Sequence, residues 1–546
     1  MDLQEISQTP VWALYEKGRE HHRLCGIYRD TDRNYRFYNG NQWEGAKLGE
    51  VEPVQKNFIK PIVKYKVSVI HDNLFAIHYA PRHYDSRENK IEAGKLCRLL
   101  NNFAAAVWEK DRMDFKGRRL TKDAAINDEA ILYVDFDREN MLPVNEIVKK
   151  CDIYYGNEND DDIQAQPYIL IRRRLPVAAA QALAERFGCR EEIKGDNDTG
   201  EESGEAAKLE VDPMVTVVYK LYKVDGQVYF SAATRYVTLA QDRNTGLRLY
   251  PVAHFNWEEK EGSARGEGEV RYLIPNQIEV NRTEVRRVLT VKYQAFPQKV
   301  VDVSKVVNPD ALNTVGGTIR TNGQAVEDVH KIVGTLPPAQ MSPDVRQLQM
   351  DLINVTRDLA GAGDSATGQI NPETASGRAI LAVQQASQAP MTEQKESYKN
   401  FLEDVARIWL EYLTVHCGDA LVLEDVQHDP DTGDEVVIPV QVSGTALRSL
   451  GSTVKIDVTP KGVFDRFAQE QTMENLLVKG LFQAGRVGEL EVYANVLDDD
   501  AVAPREKIRQ AVALIKAEQR RIADIQAKGQ LLQQQAMQAL GADGVR

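Results

Sequence analysis

"GAGDSATGQINPETASGRAI", residues 361–380, sets glycine, small polar residues and one proline between two stretches that both read as strong helices. Before it, "SPDVRQLQMDLINVTRDLAG" (342–361) starts with Ser342 as an N-cap and Pro343 at the first helical position, where its missing N–H costs nothing. Val345, Leu348, Leu352, Val355 and Leu359 then recur at alternating steps of three and four, a stripe suited to packing on another helix. After it, the chain reads helical from Ser376 to about His416, with a kink expected at Pro390, whose ring displaces a carbonyl and whose nitrogen cannot donate.

Working outward, Glu269 to Phe296 predicts a helix about 40 Å long, with Val270, Ile274, Ile278, Val285, Val288 and Leu289 near its helical spacing. Pro297 ends it. Residues 298–341 are short, strand-like and punctuated by "VGG", "TNG" and "LPP", so two long helices bracket a compact insert. The two apolar stripes are expected to pack on each other within one subunit. The opening region reads as mostly helical: residues 11–37, a buried helix broken near Pro61 within "VQKNFIKPIVKYKVSVIHDNLFAIHY" (54–79), and two helices over 88–128. "AILYVDFD", "PYILIRRRL" and the alternating runs around "VDG" and "DRNTG" predict one antiparallel sheet domain over roughly 130–258. Beyond Cys417, a hairpin around "DPDTGDEVVIPVQV", a strand "TVKIDVTP" and helices to the end are expected.

At 546 residues, the prior is roughly three to four domains. Apolar content of 42% and charged content of 27% are ordinary for a globular protein, and no apolar run reaches membrane-spanning length, so a soluble protein is expected. The acidic start "MDLQEISQTPVW" argues against a secretory signal, and five scattered cysteines argue against a disulfide framework. A net charge of −13 disfavours broad, tight binding of a polyanion.

Catalytic motifs are missing: there is no GxxxxGK[ST] phosphate cradle, no HExxH among the nine histidines and no GxSxG. "GEGE" (266–269) reads as a helix-initiating turn rather than a phosphate site. The acidic runs "NENDDDI" (157–163) and "HDPDTGDEVV" (428–437) read as solvated turns before cation sites. The arginines of "IRRRL" (171–175) alternate faces in a strand and balance nearby acids as readily as they bind nucleic acid. Arg282, Arg286, Arg287 and Lys292 are interleaved with Glu279 and Glu284, which suits a mixed surface facing a neighbouring subunit or DNA. The acidic, glycine-bearing run "GDNDTGEESGEAAK" (195–208) is expected to lack order.

In this order, the elements resemble the portal proteins (head-to-tail connectors) of tailed bacteriophages. "YNGNQW" with "VQKNFIKPIVKYKVSVI" is similar to the family's N-terminal helical region, and "GEGEVRYLIPNQIEVNRTEVRRVLTVKYQAFPQKVV" to its first stem helix. "SPDVRQLQMDLINVTRDLAG" is similar to the second stem helix, and "GDSATGQINPETASGRAILAVQQAS" to the tunnel loop and the long helix after it. The resemblance implies an α+β, multidomain portal fold. Its parts would be a wing of helices and antiparallel sheet (1–258), a first stem helix (259–297), a small α/β clip (298–341), a second stem helix (342–362), a tunnel loop (363–376), a long kinked helix (377–417), wing strands (418–463) and a helical crown (464–546). The acidic insertion at 190–209 has no counterpart.

What the family implies is a structural ring, usually of twelve, at one capsid vertex of the virion, assembled in the host cytoplasm. It would have no catalytic site, cofactor, metal or membrane association. Double-stranded DNA would be packaged through it by the large terminase subunit and later ejected. Major capsid and scaffolding proteins would meet the wing, and a head-tail adaptor the clip, where Lys305, Asn308, Arg320, Asn322, His330 and Lys331 are the candidate docking residues. The tunnel loop would offer Gly363, Asp364, Ser365, Thr367, Gln369, Asn371, Glu373 and Thr374 to the channel. Nearly uncharged groups would give DNA weak, replaceable hydrogen bonds, and glycine would let the loop move. Two other readings, a DNA-processing enzyme and a non-channel virion scaffold, leave the helix, insert, helix, loop, helix order unexplained.

Overall fold

The computed structural model describes residues 9–46, 52–71, 74–81, 87–196, 212–296, 298–314, 316–322, 332–337, 340–363, 389–416, 421–428, 435–442, 447, 454–461 and 528–529. They form a mixed α+β protein. The expected helical run at the start is two helices, α1 (Val11–Leu24) and α2 (Ile27–Asn39), separated where Gly26 takes φ +74°, a left-handed conformation free of steric cost only to glycine. α3 (Ile59–Ile70) is not broken near Pro61, because that proline falls in the first turn, where a helical N–H has no partner to lose. The expected helix also stops earlier than its apolar content suggested: Leu74–Pro81 is a strand, β1. α4 (Arg87–Lys110) and α5 (Met113–Asn127) follow.

The single sheet expected over 130–258 is two sheets. β2 (Glu129–Asp137) and β3 (Leu142–Val148) form a hairpin, and β4 (Ile153–Tyr155), β5 (Tyr168–Pro176), β6 (Met214–Val224), β7 (Gln227–Ala233) and β8 (Thr238–Asn244) make a sequential antiparallel meander. Asp225 and Gly226 both have positive φ, as the two-residue turn between β6 and β7 requires. β9 (Val252–Asn256) leaves the meander and pairs with β2, giving the order β3-β2-β9. The physical reason lies in β2: it is buried on both faces along most of its length, as a central strand is. The run 197–208 lies outside the described residues, but Asp196 at its root pairs with Arg174 and accepts from the Thr216 amide at 2.9 Å.

After β9 come the long helix α7 (Glu269–Ala295), preceded in the chain by the short α6 (Val177–Arg186), and an insert holding β10 (Lys299–Val301) and β11 (Val333–Thr335). α8 (Pro343–Leu359) begins as read, with the Ser342 hydroxyl accepting from the Asp344 amide at 3.3 Å. α9 (Thr392–His416) then packs across β9 and β2 with Tyr398, Phe401, Val405, Trp409 and Leu413 buried. Its Trp409 Nε1 donates to Asn145 Oδ1 at 2.9 Å and its Tyr412 hydroxyl to the Val134 carbonyl at 2.9 Å. Gly117 on α5 is needed beneath it, since a Cβ there would collide with the Tyr398 hydroxyl. β12 (Leu421–His428) and β13 (Glu435–Val442) form the expected hairpin, and β14 (Val454–Lys461) pairs with β1, Leu74 opposite Lys461. The helices expected beyond residue 463 lie outside the described residues apart from 528–529.

A buried charge cluster joins these parts. Arg265, just before α7, donates from Nη2 to Glu158 at 2.9 Å and to the Ile153 carbonyl at 3.1 Å, and pairs through Nη1 with Glu129. Its Nη2 also meets His22 Nε2 of α1 at 2.8 Å, so that nitrogen accepts and the ring is neutral. His254 Nε2 completes the set 2.9 Å from Glu129. Burial pushes His22 from 6.5 down to about 4. Burial alone would raise Glu129 and Glu158, but Arg265 with His254 outweighs it at Glu129, and Arg265 outweighs it at Glu158, holding each at about 2.

All three shifts leave the unfolded chain binding more protons than the folded one, so stability rises with pH. We expect stability measured by urea unfolding to fall as pH drops below about 6.5, through His22, and to fall more steeply below about 4.5, where the unfolded carboxylates protonate. Arg265→Met, which strands Glu129 without its cation, should cost about 3–5 kcal/mol at pH 7. A stability profile flat from pH 7 to 4 would contradict this account of the cluster.

Candidate functional site

The site begins with the start of α7. Gly266 and Gly268 allow the chain to pass against the Glu258 carbonyl and the Asp128 amide, where a Cβ at either would clash. The Gly268 amide donates to Asp128 Oδ1 at 2.7 Å. "GEGE" is therefore a capped helix start. Val270, Leu273, Ile274, Val280 and Val285 sink into the core, while Val291, Tyr293 and Phe296 at the far end are exposed.

A segment preceding α3 is laced along the same helix. Gln277 and Asn281, both buried, read its backbone: the Phe58 amide donates to Gln277 Oε1 at 3.1 Å, the Lys56 amide to Asn281 Oδ1 at 3.2 Å, and Gln277 Nε2 to the Lys56 carbonyl at 2.8 Å. Glu284 then gathers three donors, from Lys56 Nζ at 3.0 Å, Arg287 Nη1 at 3.0 Å and Gln349 Nε2 of α8 at 2.8 Å. Burial opposes its charge, but the hydrogen bonds from Gln349 and Lys56 prevail and lower its pKa.

α8 meets α7 through polar groups, which overturns the expected packing of two apolar stripes. Gln349 and Thr356, 2% and 3% exposed, face α7, where Gln349 Oε1 accepts from Arg287 at 2.7 Å and Thr356 Oγ1 from Asn276 at 2.9 Å. Leu348, Val355 and Leu359 of the predicted stripe point outward, 65%, 52% and 82% exposed, and Leu352 is half-buried. Val345, like Leu352, is partly buried, and among the described residues Leu348, Val355 and Leu359 of the side that sequence reasoning assigned to the partner helix are left exposed. The only advance signal of the polar packing was the pair of amide and hydroxyl residues, Gln349 and Thr356, seven positions apart on one face.

The four stem cations divide. Arg287 belongs to the Glu284 cluster, whereas Arg282 and Arg286 pair with Glu279 at 3.6 and 3.5 Å on the exposed side, and Lys292 reaches Glu52 at 4.0 Å. In the insert, Asn308 is spent on its own turn, donating to the Thr318 carbonyl at 2.9 Å and accepting from the Arg320 amide at 2.7 Å. Lys305 pairs with Asp302 at 3.4 Å, and the Asn322 amide donates to the Lys305 carbonyl at 2.8 Å. His330 and Lys331 lie outside the described residues. What the insert exposes, and the sequence reading missed, is apolar: Val300, Val303, Val307 and Leu336.

Gly363 is the last described residue before the loop; Asp364, Ser365, Thr367, Gln369, Asn371, Glu373 and Thr374 lie outside the described residues. Pro390 occupies a 3₁₀ turn, Ala389–Met391, directly before α9; the earlier part of the expected kinked helix, up to residue 388, lies outside them as well. The arginines of "IRRRL" are matched by acids, Arg172 with Asp152 at 2.6 Å, Arg173 with Glu146 and Arg174 with Asp196, and the Arg173 guanidinium also lies against the rings of Tyr133 and Tyr219. Among the described residues, no three His, Cys, Asp or Glu side chains are grouped to hold a metal, and no helix is long and apolar enough to cross a membrane.

Glu284→Leu removes the acceptor shared by Lys56, Arg287 and Gln349. We expect it to cost about 1–3 kcal/mol in urea unfolding, with a double-mutant cycle against Gln349→Ala showing coupling of about 0.5 kcal/mol or more. Additive effects would mean that the node does not join the two helices.

No curated protein matches the chain. A model of the phage P22-like portal protein family matches residues 171–543, a span that takes in the meander from within β5 onward, both α7 and α8, the insert between them, the loop and α9. A match over that much of the sequence, agreeing with the order of elements seen here, places the chain in the phage P22-like portal protein family.

Proposed function

We propose that copies of this chain close into a ring of about twelve at one vertex of the phage capsid, a heterologous contact repeated until it meets itself. Double-stranded DNA passes through the centre during packaging and again on ejection. In this reading α7 and α8 are the stem, the insert is the clip that meets terminase and then a head-tail adaptor, and the segment after Gly363 is the tunnel loop. Capsid and scaffolding proteins surround the wing.

The observation that carries the reading is the outward apolar stripe of α8. Leu348, Val355 and Leu359 repeat at coiled-coil spacing on a helix whose polar side is already occupied by α7, which leaves the stripe for a neighbouring copy. Two further features support it. A Cβ placed on Gly361 would stand in van der Waals contact with Pro390, so the described ends on either side of residues 364–388 lie close together, as they would for a loop projecting into a channel. Arg282 and Arg286, exposed and each offset by Glu279, would meet a neighbour or DNA without holding a phosphate backbone tightly. In the clip, docking would draw on the exposed Val303 and Val307 together with the exposed side chains of Lys305, Arg320 and Asn322, whereas the Asn308 side chain serves the insert's own turn.

Native mass spectrometry with class averages of the purified protein should give a closed ring with a central hole. Leu348→Asp with Val355→Asp should yield smaller species while the far-UV circular dichroism is unchanged. A ring that survives both substitutions would show that α8 is not the contact. Deleting 365–375 should leave the ring intact and lower the DNA packaged per particle, and Pro390→Ala should impair packaging more than ring formation; normal packaging by either variant would remove that element from the channel.

A further inference from the structure

We infer that the chain carries a site for a small oxyanion of phosphate size, distinct from the ring and channel surfaces proposed above. A pocket of about 350 Å³ lies where α2, the turn before α7 and the Lys150 turn converge. Six cations line it: Arg29, Arg33, Lys150, Lys260, Arg265 and Arg271. Four carboxylates do, Asp30, Asp128, Glu158 and Glu267, so the pocket is net positive within a chain of net charge −13.

The pairing leaves cationic capacity unspent. Arg265 is consumed by Glu129 and Glu158, and Lys150 by Asp128. Lys260 and Arg271 share one carboxylate, Glu267, at 3.6 and 3.8 Å, both longer than a hydrogen bond. Arg33 meets no carboxylate among the described residues, and its guanidinium lies 5.9 Å from the centre of the Phe37 ring. Guanidinium forks suit a tetrahedral oxyanion, and the first turn of α2, which no side chain caps, opens into the same space. Six cations against four carboxylates leave an excess of two positive charges in about 350 Å³, which suits one compact anion rather than a long polyanion.

The test is phosphate binding to the full-length protein at constant ionic strength, with chloride as the balancing anion, read by isothermal titration and by thermal unfolding. Inorganic phosphate should bind saturably, and at ten times its dissociation constant it should raise the folded-to-unfolded ratio about elevenfold. Arg33→Gln, at an exposed position, should weaken binding about tenfold, whereas Glu267→Gln, which frees Lys260 and Arg271, should tighten it. A parallel titration with a short oligothymidylate distinguishes a free anion from a phosphate presented by nucleic acid: binding of either that is lost in Arg33→Gln upholds the pocket. No binding beyond the chloride control, or binding that neither substitution changes, overturns it.

Discussion

A guanidinium taken out of water is tolerated only where carboxylates and carbonyls replace its hydration, and Arg265 imposes that requirement on the whole body of the protein. Its partners come from the end of α1, the first residue of β2, the first residue of β4 and the loop that follows β4, so these four segments must converge on one point. α7 starts three residues beyond Gly266, which leaves its origin and direction little freedom. The close passages at Gly266 and Gly268 tighten this further, because backbone lies where a side chain would otherwise stand.

From that anchored start, α7 carries the insert and α8 outward. Burial decreases along it, from Val270 and Ile274 in the core to Tyr293 and Phe296 in solvent. What holds α8 to this arm is hydrogen bonding among Asn276, Glu284, Arg287, Gln349 and Thr356. A polar seam has a different consequence from an apolar one. Hydrogen-bonded amides fix register with little hydrophobic driving force, and among the described residues they leave Leu348, Val355 and Leu359 of α8 uncovered.

Much of the fold was legible because it rests on local physics. The Ser342–Pro343 start and the Asp225–Gly226 turn follow from caps and from φ values that few residues adopt. The family was legible too, in the order of helix, insert, helix and loop. The candidate site was less so. β1 looked like a continuation of α3, since its partner β14 lies far along the chain and leaves no local trace. Of the polar residues named in the insert, Asn308 serves its own turn, because a side chain's choice between an internal carbonyl and a partner depends on how the turn closes.

The sequence by itself determined local starts and turns such as Ser342–Pro343 and Asp225–Gly226, the periodicity of apolar faces, and the order that marks a portal protein; each is a property of neighbouring residues. Only the tertiary structure decided which face of α8 points inward, that β9 joins β2, and that Arg265 gathers Glu129, Glu158 and His22. The reason is that a helical stripe is equally apolar toward any partner, and a charge is equally charged toward any counterion. Which one it meets depends on competing long-range contacts, and here a hydrogen-bonded seam on α7 took the polar face of α8 and left the apolar one outside.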